Sequence, residues 1–203
     1  ETGLLISSSN SSLTDVTIDS NNILNEDNQV GGLWFYAYYD GEYTLTMENV
    51  TITNNVGKFG GIRIEDADLA TLTNVFISDN ISGNSGGGLS IVHSNINLEN
   101  SIISNNATNM DGGGVSALFS NLDVTDVTIY NNTSTQRSGG LYLNASSANL
   151  INVTITENEA TTYGGGIKST NSFVDIENSQ KLLLDNLGVK SLAAVIGPSI
   201  GGL

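Results

Sequence analysis

The chain has 203 residues, 38% of them hydrophobic, which is enough to bury a core as one domain. Six basic against 21 acidic residues give a formal charge of -15, and no Lys/Arg cluster interrupts it, so no nucleic-acid partner is expected. Cysteine is absent, which removes disulfides and thiolate metal sites, and no apolar run of about 18 residues or basic-flanked leader predicts a membrane span or an intact signal peptide.

A single proline, 23 glycines and abundant Asn, Thr and Ser suit many short strands joined by tight turns and disfavour helices. In chain order, "TGLLI" and "LTDVTIDSNN" predict a first partial coil over residues 1–22. Asp15 is expected at its bend and Asn21 or Asn22 at its turn, with no capping segment expected within these residues. Residues 23–44 read as an aromatic insertion. Within it Leu33 and Phe35 point inward, and Trp34, Tyr36, Tyr38, Tyr39 and Tyr43 either pack over the loop or form an exposed contact platform.

Residues 45–178 are the regular coils. Taking Asn49 as a marker, its equivalents Asn74, Asn100, Asp126, Asn152 and Asn178 follow at steps of 25, 26, 26, 26 and 26. Apolar residues keep this register two positions before the marker, from Met47 to Ile176, and three after it, from Ile52 to Ile155. Six after it stand Asn55, Asn80, Asn106, Asn132 and Asn158, each preceded by a variable polar residue. Gly pairs then open a strand at Gly60-Gly61, Gly87-Gly88, Gly113-Gly114, Gly139-Gly140 and Gly165-Gly166. Residues 179–203 read as a degenerate, more apolar last coil, with Asn186 expected in the Asn column.

Three short parallel strands per coil, repeated about seven times, predict an all-β single-stranded parallel β-helix forming one domain over 1–203. Stacked coils turn each column into a ladder. An inward Asn fits because its amide donates to one neighbour and accepts from the next, whereas stacked buried carboxylates would repel. The Gly pairs are expected to supply positive φ and close approach at a corner.

The segments "ITNN", "ISDN", "ISNN", "IYNN" and "ITEN", with "GGIRI", "GGLSI", "GGVSA", "GGLYL" and "GGIKS", resemble the repeat of chlamydial polymorphic outer membrane proteins and related autotransporter-like right-handed β-helices. The resemblance covers roughly residues 2 to 196, with Ile replacing the family's Phe and without its Ala after the Gly pair. It implies a right-handed solenoid on a cell surface. Residues 1–203 are not expected to include a C-terminal outer-membrane barrel, so the autotransporter type implies a released fragment.

Several motifs are weighed against that scaffold. Sequons begin at Asn10, Asn49, Asn80, Asn106, Asn131, Asn132, Asn144 and Asn152. Those at Asn80, Asn106 and Asn132 lie in the inward column, so Asn10 and Asn144, then Asn49 and Asn152, are the glycosylation candidates. The column Trp34, Arg63, Ser90, Ser116, Tyr142 and Lys168 is expected to face solvent. Arg63 with Glu65, Asp66 and Asp68 is its best catalytic cluster for a polysaccharide lyase or hydrolase, yet neighbouring coils add no carboxylate column, and no enzyme is expected. His93 reads as a solvated loop residue. "GNSGGG" and "MDGGG" fit neither a calcium nonapeptide nor a phosphate loop, and no cofactor is expected. Glu26, Asp27, Asp40 and Glu42 offer at most a weak Ca²⁺ site.

The expected role is an extracellular or cell-surface structural or adhesive module that self-associates end to end or continues into neighbouring solenoid domains. A polysaccharide-binding or polysaccharide-cleaving β-helix is the alternative, with carbohydrate as its partner.

Overall fold

The computed structural model describes residues 2–23, 29–38 and 41–178. Asn186 and the degenerate last coil lie outside these residues, as do Tyr39, Glu26, Asp27 and Asp40. The chain winds into a parallel β-solenoid of about six turns, and a full coil contributes to four ladders. The first ladder holds Leu4–Ser7, Leu33–Tyr36, Ile62–Glu65, Leu89–Val92, Val115–Leu118, Leu141–Asn144 and Ile167–Thr170. The second holds Ser11–Thr14, Thr44–Glu48, Leu69–Thr73, Asn95–Glu99, Asn121–Thr125, Ser147–Ile151 and Phe173–Glu177. The third is built from three-residue strands, Thr17–Asp19 through Thr154–Thr156.

The fourth ladder was not expected. Strands of only two residues, from Val56–Gly57 to Glu159–Ala160, follow the Asn column. Two residues are too few to show an alternation in sequence, so the stretch read as turn.

Four corners separate the ladders, and most hold a residue in the left-handed region. The marker column does so from Asp15 at φ 55 to Asn178 at φ 51, and the variable position before the Asn column from Ser20 to Glu157. Asn and Asp adopt this conformation more readily than other side-chain-bearing residues, which explains their concentration here. Phe119 at φ 52 and His93 at φ 48 occupy the corner between the first and second ladders, where such bulky side chains are strained.

The Gly pairs act differently from expectation. Positive φ belongs to the residue before four of the five pairs, Gly86, Gly112, Ser138 and Gly164, and not to the pair itself. The pair is required by close approach: a Cβ on Gly88 would stand 2.9 Å from both Asn106 Nδ2 and the Gly114 carbonyl oxygen.

Alternate residues fill one continuous core. Leu45, Met47, Ile52, Ile62, Ile77, Leu89 and Ile91 are fully buried, each contributing roughly 1.5–3 kcal/mol before ordering costs. The segment expected as an aromatic insertion contains a regular strand, because Leu33–Tyr36 pairs in register with Leu4–Ser7 and Ile62–Glu65. Leu33 and Phe35 face the core. The extra residues lie on either side of that strand.

Candidate functional site

The repeated Asn column is wholly interior. Asn55, Asn80, Asn106, Asn132 and Asn158 have no exposed surface. Asn106 shows the pattern: its backbone N–H and its Nδ2 both donate to Asn132 Oδ1, at 2.9 and 3.0 Å, and Nδ2 also donates to the Ile77 carbonyl at 3.0 Å. Its Oδ1 accepts the backbone N–H and Nδ2 of Asn80. In the first coil the position is held by Asn21, which donates twice to Asn55 Oδ1.

A second buried ladder was missed. Ser94, Ser120, Ser146 and Ser172 repeat at the corner between the first and second ladders. Each Oγ accepts the backbone N–H one coil earlier, from Ala67, Ser94, Ser120 and Ser146, at 3.0 to 3.1 Å. Each also donates to the carbonyl two residues before it. The signal was present as a Ser every 26 residues, hidden by the abundance of Ser in the chain.

The column expected to face solvent is largely covered. Ser90, Ser116 and Tyr142 are buried, because the corner leading into each first-ladder strand folds back over it; a Cβ on Gly112 would lie 3.0 Å from that of Ser116. Asp111, 5% exposed at its side chain, anchors this layer. Its Oδ1 accepts the Arg137 backbone N–H at 3.0 Å and Nε at 2.9 Å, and its Oδ2 accepts a terminal guanidinium nitrogen at 2.6 Å. The guanidinium lies 4.9 Å from the Tyr142 ring centroid, and bonding to Asp111 raises the Arg137 pKa.

The Arg63 cluster divides among separate partners. Arg63 pairs with Glu65 and sits 3.7 Å above the Phe59 ring, while Glu65 Oε2 accepts from Trp34 Nε1 at 2.9 Å. Asp66 turns to His93, with Nδ1 and Oδ1 3.5 Å apart, and Asp68 accepts the Tyr43 backbone N–H at 2.7 Å. His93 is exposed but not solitary, since it stacks on Phe119 with centroids 5.2 Å apart.

Trp34 and Tyr36 line one face of their strand, and Tyr38 continues that row beyond its end. Their rings interlock at 48° and 86°, with centroids 5.0 and 4.8 Å apart, and only Tyr38, at 71%, is widely exposed. Tyr43 packs partly against the core. Glu42 is exposed, and no group of three metal-ligating residues occurs among the described residues.

The sequons also separate. Asn49 and Asn152 are exposed, but their Nδ2 atoms donate to Asp15 and Asp126. Asn131 is exposed and donates to Asn105 Oδ1 at 2.6 Å. Asn10 is exposed and uses only its Oδ1, which accepts from Thr44, and Asn144 is half-buried.

No curated protein and no solved structure matches the chain. A family description, right-handed beta helix region, matches residues 2–180. With its parallel ladders and interior Asn column already in view, the chain belongs to the right-handed β-helix family.

Proposed function

We propose that this β-helix is a structural or adhesive module of an extracellular or cell surface, of the kind displayed by the polymorphic outer membrane proteins its repeat resembles. It stacks on a further coil, supplied by its own longer chain or by another copy. The observation that carries this reading is the first coil. Its inward residues Leu4, Ile6, Leu13 and Val16 are only partly buried, and Leu4–Ser7 and Ser11–Thr14 pair on one side only among the described residues. Asn21 Oδ1 likewise accepts no bond from a described residue. Such an edge is a template for another strand. Sedimentation and electron microscopy test it: end-to-end particles that Leu13→Asp disperses are expected, and a well-folded, strictly monomeric chain at all concentrations overturns stacking on another copy.

Carbohydrate binding is the second reading, favoured by Trp34, Tyr36 and Tyr38 sharing one face. Trp34 is the single tryptophan, so its fluorescence reports directly on that face. A saturable quench with polysaccharide supports this reading, and cleavage of acidic polysaccharide lost in Arg63→Ala would make the protein an enzyme.

A further inference from the structure

Charge is segregated around the solenoid. All described Lys and Arg residues, Lys58, Arg63, Arg137 and Lys168, lie on the first ladder or at the corner entering it. The outer face of the second ladder instead carries Glu48, Glu99, Asp123, Asp175 and Glu177, all exposed, and no Lys or Arg among the described residues. Its flanking corners add Asp66, Asp68, Asp15 and Asp126.

This face is also apolar in places. Phe173 is 67% exposed, Phe119 at the adjoining corner 57%, and Leu69 37%. Beside Phe173 an open groove of about 290 Å³ is walled by Asn121, Asp123, Ser147, Asn149 and Asp175. Acids beside an exposed ring, as Asp175 beside Phe173, suit lysine or arginine, whose apolar stems lie along a ring while the charged end meets a carboxylate.

Spacing narrows the partner. Register places Asp123 beside Asn149 and Asn149 beside Asp175, so the two acids stand two coils apart, roughly 10 Å at the strand spacing. Glu48 and Glu99 are likewise separated by two coils, with Thr73 between them. A polyproline II segment presents every third residue on one side at about 9.3 Å. We propose that the outer face of the second ladder binds an extended basic segment of a partner protein, running along the solenoid axis with a cation at every third residue.

The proposal rests on the adhesive part of the reading above and names its partner. The test uses labelled peptides of four Lys-Pro-Pro repeats, against a peptide of identical composition with its lysines in one block, followed by fluorescence anisotropy at about 50 mM salt, where screening is modest. The periodic peptide is expected to bind roughly fivefold or more tightly than the block peptide. Asp123→Asn with Asp175→Asn should weaken it roughly 5- to 30-fold, since each of the two partly exposed ion pairs contributes about 0.5–1 kcal/mol. Asn already occupies the same column at Asn97 and Asn149, so this variant keeps the fold. Glu157→Gln with Glu159→Gln, equal in charge but off this face, should change binding less than twofold. Equal binding of both peptides, or equal loss in both variants, reduces the effect to net charge and overturns the proposal. Concentration-dependent self-association abolished by the Asp123/Asp175 variant overturns it in favour of a second copy. Peptide binding by a strict monomer would sustain it while removing end-to-end stacking.

Discussion

Two asparagine columns run along the solenoid, six residues apart in every regular coil, and water treats them oppositely. In the buried column, Asn80, Asn106 and Asn132 donate toward the following coil and have every polar site engaged. In the exposed marker column, Asn49 and Asn152 donate toward the preceding coil, and their acceptors are Asp15 and Asp126. The buried column has no aspartate among its described members, whereas the exposed one uses Asp twice. What the exposed corner requires is a left-handed backbone, which Asp and Asn both tolerate; what the interior requires is an amide with two donors and an uncharged acceptor.

One substitution made in both columns should therefore break the symmetry most strongly. Asn106→Asp buries a carboxylate, removes the donors to Ile77 and Asn132, and should cost about 3–5 kcal/mol. Asn74→Asp loses one surface bond to Asn49 and should cost less than about 1 kcal/mol. Urea denaturation followed by circular dichroism measures both. Similar losses would mean that the interior ladder is not the principal polar brace.

The next effect concerns an acid that is buried because it is paired. Asp111→Ala removes the acceptor for three Arg137 donors and uncovers the layer over Tyr142. Arg137 remains partly solvated, so the expected loss is about 2 kcal/mol, smaller than for a fully enclosed pair. Arg137→Ala should lose a similar amount, and a double-mutant cycle should show coupling between the two sites. Smaller again is Ser120→Ala, which strands the buried Ser94 N–H and should cost about 1–2 kcal/mol in the same denaturation assay.

How much of this was readable in the sequence follows from the same contrast. The Asn column was legible because its residue type is constant and its neighbour drifts, as Asn105 beside Asn106 and Glu157 beside Asn158 show. The Ser ladder kept the same period but used a residue common everywhere in the chain. The covered column failed for another reason: alternation correctly put Ser90, Ser116 and Tyr142 outside the core, but it is blind to a loop folding back from the coil's own corner. The five acids of the second ladder's outer face were also spread over four strands, where no local cluster announces them.

The smallest expected effect concerns a carboxylate at the end of a third-ladder strand, next to an exposed corner. Asp19 is fully solvent-facing, yet Asn54 Nδ2 at 2.9 Å, Thr53 Oγ1 at 2.7 Å and Ser20 Oγ at 2.8 Å all donate to it. These bonds favour the ionised form, Asn54 most, then Thr53 and Ser20, and hold its pKa below the ordinary aspartate value. Because the folded pKa is the lower one, the associated stability is fully present above the unfolded pKa and is lost as pH falls through the folded value. Asn54→Gly keeps the left-handed backbone available while deleting the largest contributor. The carboxyl titration followed by NMR should then move up toward the ordinary value, with a smaller rise in Thr53→Val. An unmoved Asp19 in Asn54→Gly would show that these bonds leave no mark on its charge.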